Sequence, residues 1–442
     1  MKFSSFCCVA ALAPLLSSAC LLPEEREGRP TLQRRQTSNN GIAIGTGDRY
    51  SSGTIAPRGL GTQQNTTLTT LLNVDEIASG LKGLSNVYGI PTFTTPYTTY
   101  NGASFAGGKV GGNGSCNEAY RVYLNTAIHA RERGGSDGLL FFIGDLLYAN
   151  KNNIGLTYGS KSYTNAQVVS ALSTGIVFMP LSNPDGVAYD QSSNSCWRKN
   201  RNPASSTGSP DSIGVDLNRN FDFLWDFKTL FASSAQGVAS ANPSASTFHG
   251  TSAFSEPETQ SIKWITDTYS KIRWFIDLHS YSGDVLYSWG SDTDQSQYPY
   301  MNFMNSSYDD VRGILTDTPG VGNGYGEYTP ADEGTANVDA ATRISNGMGA
   351  AAGRGYKALP AAGFYPTSGS SDDYQYSRHF ADPSKNLIHA YTVEFGFRNN
   401  DASCVFYPSP SQHNKNIMEI GAGFMELLLA AVDIGVGDPV SC

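Results

Sequence analysis

Histidine is scarce in this chain of 442 residues, with six in all. Basic side chains are in the minority too: 30 Lys and Arg stand against 39 Asp and Glu, for a net charge of −9. No Lys/Arg cluster longer than a short pair offsets that balance. Phosphate recognition needs a cationic face, so a nucleic-acid partner is excluded. Long apolar runs are missing as well. Nothing approaches the ~20 consecutive apolar residues of a membrane helix, which argues against a spanning protein. No internal repeat is visible, which excludes solenoids and propellers. The composition is otherwise that of a globular chain, 39% hydrophobic and 11% aromatic, enough to bury a real core.

The chain begins with an address. Residues 1–20 carry a short basic start, an apolar run from Phe6 to Leu16 and small residues at Ser17 to Ala19. That pattern is a secretory signal, too short and interrupted for a membrane anchor. A charged stretch then ends at Arg34-Arg35 before Gln36, which predicts a short pro-segment over 21–35 cut at the dibasic site. The remaining 36–442 are read as a single catalytic domain, secreted and monomeric. Asn65, Asn113 and Asn305 stand in Asn-x-Ser/Thr acceptors for glycosylation. Of seven cysteines, Cys7, Cys8 and Cys20 leave with the signal and pro-segment, so Cys116, Cys196, Cys404 and Cys442 remain. Four in an oxidising compartment imply two disulfides, with three connectivities open.

From Gln36 to about Thr70 the chain is rich in Gly, Ser, Thr and Asn, and an extended or mobile lead-in is expected. After it, helices alternate with apolar runs. Helices are predicted around Leu72 to Val87, from Ser136 to Asn150, from a capping box at Ser255-Glu-Pro-Glu258 through about Ser270, and from about Asn416 to Val432. Strands are predicted at Arg121 to Ile128, Gly175 to Leu181, Ile272 to Leu278, Asp284 to Trp289 and His389 to Phe395. This alternation implies an α/β sandwich, a mixed and mostly parallel central sheet flanked by helices. One region breaks the rhythm: Gly290 to Gly363 is Gly/Asp/Tyr/Ser/Ala-rich and weakly periodic, and is expected to form a lid or pocket wall.

Three strand exits carry ionisable groups: "IHARE" ending at Glu132, "DLHSYS" from Asp277, and "TVEFGF" from Thr392. In an open α/β sheet the site lies beyond the carboxyl ends of the strands, so residues far apart in the chain can converge there. His129 and Glu132 stand at i and i+3, which lets one tight turn aim an imidazole and a carboxylate at one point. With His279 they make two nitrogens and a carboxylate, a catalytic zinc set that keeps a position open. A lone His-x-x-Glu arises by accident often enough to be weak on its own. Its company strengthens it: "NPDGVAYDQSSNSCWRKNRNP" from Asn183 and "VDLNRNFDFLW" from Val215 bring Arg198, Arg201 and Arg219 toward the same edge. Arginines beside a zinc suit an anionic group or a developing oxyanion.

Together these motifs resemble the zinc metallocarboxypeptidases of the carboxypeptidase A/B type, over roughly Leu72 to Val432. The resemblance implies one zinc held by His129, Glu132 and His279, with Asp216 orienting His129. It further implies that Arg198 holds the oxyanion and that Asn218 and Arg219 grip the free terminal carboxylate of a peptide or protein. Tyr365 would close over that carboxylate, Arg131 and Tyr281 would contact the peptide upstream, and Glu394 would be the general base. Asp372 falls at the position that reads the departing side chain, which would favour basic, or mixed basic and apolar, C-terminal residues. Asp373 beside it, and apolar Pro360 and Phe364, leave that preference open. Two departures stand out: the Gly290–Gly363 excursion is long for the family, and the pro-segment is too short to be an inhibitory pro-domain. Competing readings are a related zinc amidohydrolase and an inactive binding protein, the latter expected to lack the base or a ligand. Two look-alikes are set aside, the nucleophile-elbow approximation "GASFA" at Gly102 and the dinucleotide mimic "GMGAAA" at Gly347.

Overall fold

The computed structural model describes residues 41–112, 116–437 and 442. The expected signal, the pro-segment and the Asn113 acceptor lie outside the described residues. Eight strands form the central sheet: β1 (Thr92–Thr98), β2 (Ser104–Val110), β3 (Val122–Thr126), β4 (Ile176–Met179), β5 (Trp274–His279), β6 (Asp284–Tyr287), β7 (Lys357–Pro360) and β8 (His389–Glu394). Their order is β7-β6-β8-β5-β3-β4-β2-β1. The central four, β8-β5-β3-β4, run parallel, as do β6 and β7. The pairs β6/β8, β2/β4 and β1/β2 are antiparallel. The mixed, mostly parallel sheet expected from the sequence is the sheet observed.

Its central strands are buried at every residue, which is why they read as largely apolar runs. Helices α1 (Val74–Tyr88), α2 (Gly135–Asn152), α3 (Asn165–Ser173), α6 (Ala331–Ala352) and α8 (Pro410–Ile434) belong to the elements that cover one face, whose core includes Val122, Leu124, Ile276 and Val393. Helices α5 (Pro257–Thr268) and α7 (Ser371–Ala381) lie over the other, whose core includes Tyr123, Val177 and Phe275. Between β4 and the loops toward β5 runs α4 (Pro184–Ser193). Among the described residues no helix is long and apolar enough to cross a membrane.

Four expectations need correction. The lead-in is anchored from Ile42 onward: the Ile42 amide donates to Pro408 O at 2.7 Å, and Gly59 and Gly61 donate to the Asp145 carboxylate at 2.9 and 2.8 Å. Polar composition suggested mobility, but these bonds depend on Asp145, far along the chain. The Gly290–Gly363 excursion contains the 22-residue α6, which holds the dinucleotide mimic, and it ends in β7. The buried face of α6 is Asn337, Ala340, Ala341, Ile344, Gly347, Met348 and Ala351, a helical stripe of mostly small residues that hydrophobicity alone does not register. Helix α8 starts at Pro410, six residues before the expected Asn416, because Ser409 and Gln412 form a capping box. The capping box expected at Ser255 is absent; α5 has Glu256 at its N-cap without a side-chain cap. The β1/β2 hairpin and β7 went unread.

Two disulfides choose among the three possible pairings: Cys116–Cys442 and Cys196–Cys404, with Cα separations of 5.5 and 5.6 Å. Asn65 is exposed, whereas the Asn305 amide is bonded to Tyr300 O at 2.8 Å.

Burial also shapes the pH response. It pushes the Asp137 and Asp292 carboxyls up to about 7, and those of Glu258 and Glu327 up to about 8. It lowers the His389 and His413 imidazoles to about 3. A carboxyl raised on folding adds stability below its unfolded pKa and loses it as pH rises through the folded one; a lowered imidazole loses stability as pH falls below about 6.5. Four carboxyls gain between pH 7.5 and 5.5, while two imidazoles lose over the last unit only. Tm measured by calorimetry is therefore expected to be higher at pH 5.5 than at 7.5. A lower Tm at pH 5.5 would contradict this balance.

Candidate metal centre and active site

Strand parity explains why the three exits meet. Along β5, Trp274, Ile276 and Leu278 pack on the α2/α8 side and Phe275 on the other. Successive side chains alternate faces, so Asp277 and His279 share the face of Phe275. On β8, Tyr391 and Val393 take the first face, which puts Thr392 and Glu394 on the second. Register sets Glu394 beside His279 and Thr392 beside Asp277 on neighbouring parallel strands. At the end of β3, Ala127 turns with φ +62° and the Glu132 amide donates to His129 O at 3.2 Å. That tight turn brings both expected ligands over the sheet edge.

The three groups converge. His129 Nδ1 lies 2.8 Å from Glu132 Oε1, and His279 Nδ1 lies 3.0 Å from Glu132 Oε2. The two Nδ1 atoms are 3.1 Å apart. The far side of each ring faces a carboxylate. His129 Nε2 lies 3.0 Å from Asp216 Oδ1, and His279 Nε2 lies 3.3 Å from Asp277 Oδ2. Burial alone would raise the Asp216 carboxyl, but Arg198 and His129 outweigh it and hold it below the usual carboxylate range. Asp277 is held down in the same way, burial being opposed by His279, Ser371 and Asn125. An ionised carboxylate only accepts, so each imidazole can donate from Nε2, which leaves Nδ1 able to turn a lone pair to a cation. Nδ1 of both rings and the Glu132 carboxylate thus lie about 3 Å from one another. These donors all lie within 4.8 Å of one another and are buried, a set that fits a zinc ion in ligand type and in number.

The other expected residues surround this centre. Arg198 Nε and Nη2 donate to Asp216 Oδ2 at 3.1 and 2.9 Å, while Nη1 stands 3.3 Å from His129 Nδ1. Arg219 is buried, with Nε on Val238 O and Nη1 on Asn218 O at 2.8 and 2.7 Å, and its guanidinium is 5.9 Å from the Tyr365 ring. Asn218 Oδ1 accepts the Ser371 amide at 2.8 Å, so its amide nitrogen is the donor end. The backbone of Gly369 passes so close to Arg219 that an added Cβ would come within 2.5 Å of its carbonyl oxygen. This close pass holds the Tyr365–Asp372 segment against the arginine. Arg131 stacks over Phe406 at 4.2 Å, and Tyr281 meets the same ring edge-on at 4.8 Å. Asp372 is buried at the start of α7 with its carboxyl raised by burial, and Asp373 accepts the Gly290 amide at 2.9 Å. Arg201 does not join the centre; it stacks on Tyr189 at 3.7 Å and Trp197 at 4.6 Å.

Sequence reasoning passed over Asp277 and Phe406. Asp277 had a legible signal, a charged residue two before His279 in a strand otherwise apolar, where a side chain must share the histidine's face. Phe406 had none, since its role rests on two partners brought from distant segments.

The zinc carboxypeptidase family model matches residues 89–420. Zinc carboxypeptidase A 1 of Drosophila melanogaster is 32% identical over 228 residues, 50% of this chain and 46% of that protein. Carboxypeptidase A2 of Mus musculus is 35% identical over 170 residues, 38% of this chain and 35% of that protein. The matched stretches thus span less than half the length of these relatives. Among solved structures, carboxypeptidase A from Helicoverpa armigera superposes with a TM-score of 0.60 at 20% identity, covering 82% of this chain and 74% of that one. Bovine thrombin-activatable fibrinolysis inhibitor, in complex with a tick carboxypeptidase inhibitor, gives 0.58 at 18%, covering 82% and 98%. These two share the fold. The chain, carrying the family's match across its sheet and its buried donor triad, belongs to the zinc carboxypeptidase family.

Proposed function

We propose that this chain is a secreted, zinc-dependent exopeptidase that hydrolyses the C-terminal peptide bond of peptides and proteins, acting as a monomer. The observation that carries the reading is the buried triad of His129 Nδ1, His279 Nδ1 and Glu132, whose nitrogen and oxygen atoms lie 2.8 to 3.1 Å from one another. Zinc held there supplies Lewis acidity, polarising a carbonyl and making water acidic near neutral pH. Glu394 takes the proton from the attacking water and returns it to the departing amine, a role that its burial beside His279 supports. Arg198, locked by Asp216, presents Nη1 toward the triad, where it donates to the carbonyl oxygen as negative charge builds. Asn218 and Arg219 bind the terminal carboxylate, and Tyr365 covers it. Only a chain end carries that extra charge, so a buried guanidinium selects exopeptidase over endopeptidase cleavage. Arg131 and Tyr281, both against Phe406, contact residues upstream. The two disulfides support an oxidising destination.

Asp372 supports a preference for basic ends. Its carboxyl is raised because it is buried, and a Lys or Arg side chain entering beside it would restore its charge. One experiment tests both parts: a mixture of peptides ending in Lys, Arg, Phe or Leu, each with a C-terminally amidated twin, read by mass spectrometry over time. Free acids should shorten by one residue at a time, basic ends first, and the amidated twins should persist. Equal attack on the twins would replace this reading with that of a zinc amidase, and faster loss of apolar ends would remove the role given to Asp372.

A further inference from the structure

Asp190 is completely buried and gathers three segments of the site wall. Its Oδ1 accepts the Tyr407 hydroxyl at 2.7 Å and the Trp197 amide at 2.8 Å. Its Oδ2 accepts Arg133 Nε at 2.8 Å and lies 2.7 Å from Arg133 Nη2. The Tyr407 hydroxyl in turn accepts the Cys196 amide at 2.8 Å, and the Arg133 guanidinium lies 3.5 Å over the Tyr407 ring. Each segment carries a residue assigned to the reaction. Arg133 follows the metal ligand Glu132, Cys196 and Trp197 lead directly into Arg198, and Tyr407 follows Phe406, on which Arg131 and Tyr281 rest. The Cys196–Cys404 disulfide joins the second and third segments covalently.

We propose that Tyr407 is a positioning residue of the hydrolytic site: through Asp190 and the Cys196 amide, it sets where the Arg198 guanidinium stands relative to the metal triad. This rests on the exopeptidase reading above. Only a phenolic hydroxyl on a ring can at once donate to Asp190, accept from Cys196 and support Arg133 by its face. Phenylalanine would keep the ring but leave the part-buried Cys196 amide without its acceptor and the buried Asp190 without a donor, so the 196–198 loop would shift to recover them. A displacement of about 1 Å in a catalytic group can cost up to about a hundredfold in rate. Because Arg198 acts as charge develops, the loss should fall on kcat and spare KM.

The test is Tyr407→Phe in the mature, zinc-loaded enzyme. Expected are a kcat lowered about tenfold to a hundredfold, a KM nearly unchanged, one zinc per chain, and affinity for a peptide phosphonate lowered by the same factor as kcat/KM. A crystal structure of the variant should show the Arg198 guanidinium moved from its place on Asp216. An unmoved Arg198, an unchanged kcat, or equal losses in kcat and substrate affinity would overturn the proposal. If the unaltered enzyme shows no turnover, the exopeptidase reading falls, and the position of Arg198 in the variant structure still decides the role of Tyr407. Should Tyr407→Phe fail to fold, the double variant Cys196→Ser with Cys404→Ser loosens the same loop from its covalent side and is judged by the same kcat and KM split.

Discussion

Replacing Glu394 with glutamine is expected to lower kcat by about 10²- to 10⁴-fold, the range that a general acid–base contributes. The carboxamide fills nearly the same volume at the end of β8, so the buried position remains packed and the register with His279 remains intact. What disappears is the capacity to take a proton from water and return it to the amine. Zinc content, measured by elemental analysis, should stay at one per chain, because His129, Glu132 and His279 are untouched. KM should change little, since Asn218 and Arg219, the proposed partners of the terminal carboxylate, are untouched. A Glu394→Gln enzyme within tenfold of the normal kcat would remove the base assignment and shift that role to another group.

Metal removal is expected to have an effect of the same order or larger. A chelator should abolish turnover and stoichiometric zinc should restore it, because Arg198 alone leaves the water unactivated. Thermal stability should follow. The ligating atoms of two imidazoles and a carboxylate lie within 4.8 Å of one another, so a bound cation ties three segments of the fold together. At a hundredfold excess of zinc over Kd, binding adds about 2.7 kcal/mol to the folded state, visible as a rise in Tm. Asp216→Asn is a sharper probe, because the amide can no longer both hold the proton on His129 Nε2 and neutralise Arg198. A loss of about 10- to 100-fold in zinc affinity is expected on titration. Unchanged affinity in Asp216→Asn would break the link between the orienting carboxylate and the ligand, and a chelator-resistant enzyme would sink the metal reading.

Much of the fold was legible because its central strands are covered on both faces and are therefore largely apolar: β3, β4, β5 and β8 stand out for that reason. The weakly apolar elements escaped. Helix α6 buries mostly Ala, Gly, Ser and Asn against α8, a close approach that needs small side chains and therefore leaves little hydrophobic signal. The lead-in from Ile42 to Leu72 reads as polar linker, and its order comes from Asp145 and Pro408, partners that local composition does not announce. The helix start at Pro410 was local and legible, since Ser409 and Gln412 have capping-box spacing, but the apolar period beginning further on drew the boundary too late.

At the site the division runs along the same line. The identities and strand-end positions of His129, Glu132, His279, Glu394, Arg198 and Arg219 are written in the chain, because metal ligation and charge stabilisation need particular atoms and few residue types provide them. Their convergence is tertiary: it depends on the parallel register that sets Glu394 beside His279 and on the alternation that turns Asp277, His279 and Glu394 to one face. Which cysteines pair and the clasp of Asp190 and Tyr407 were decided only by folding. Those contacts join residues more than a hundred positions apart, or select one of several chemically equal partners, and local sequence carries no energy term that distinguishes them.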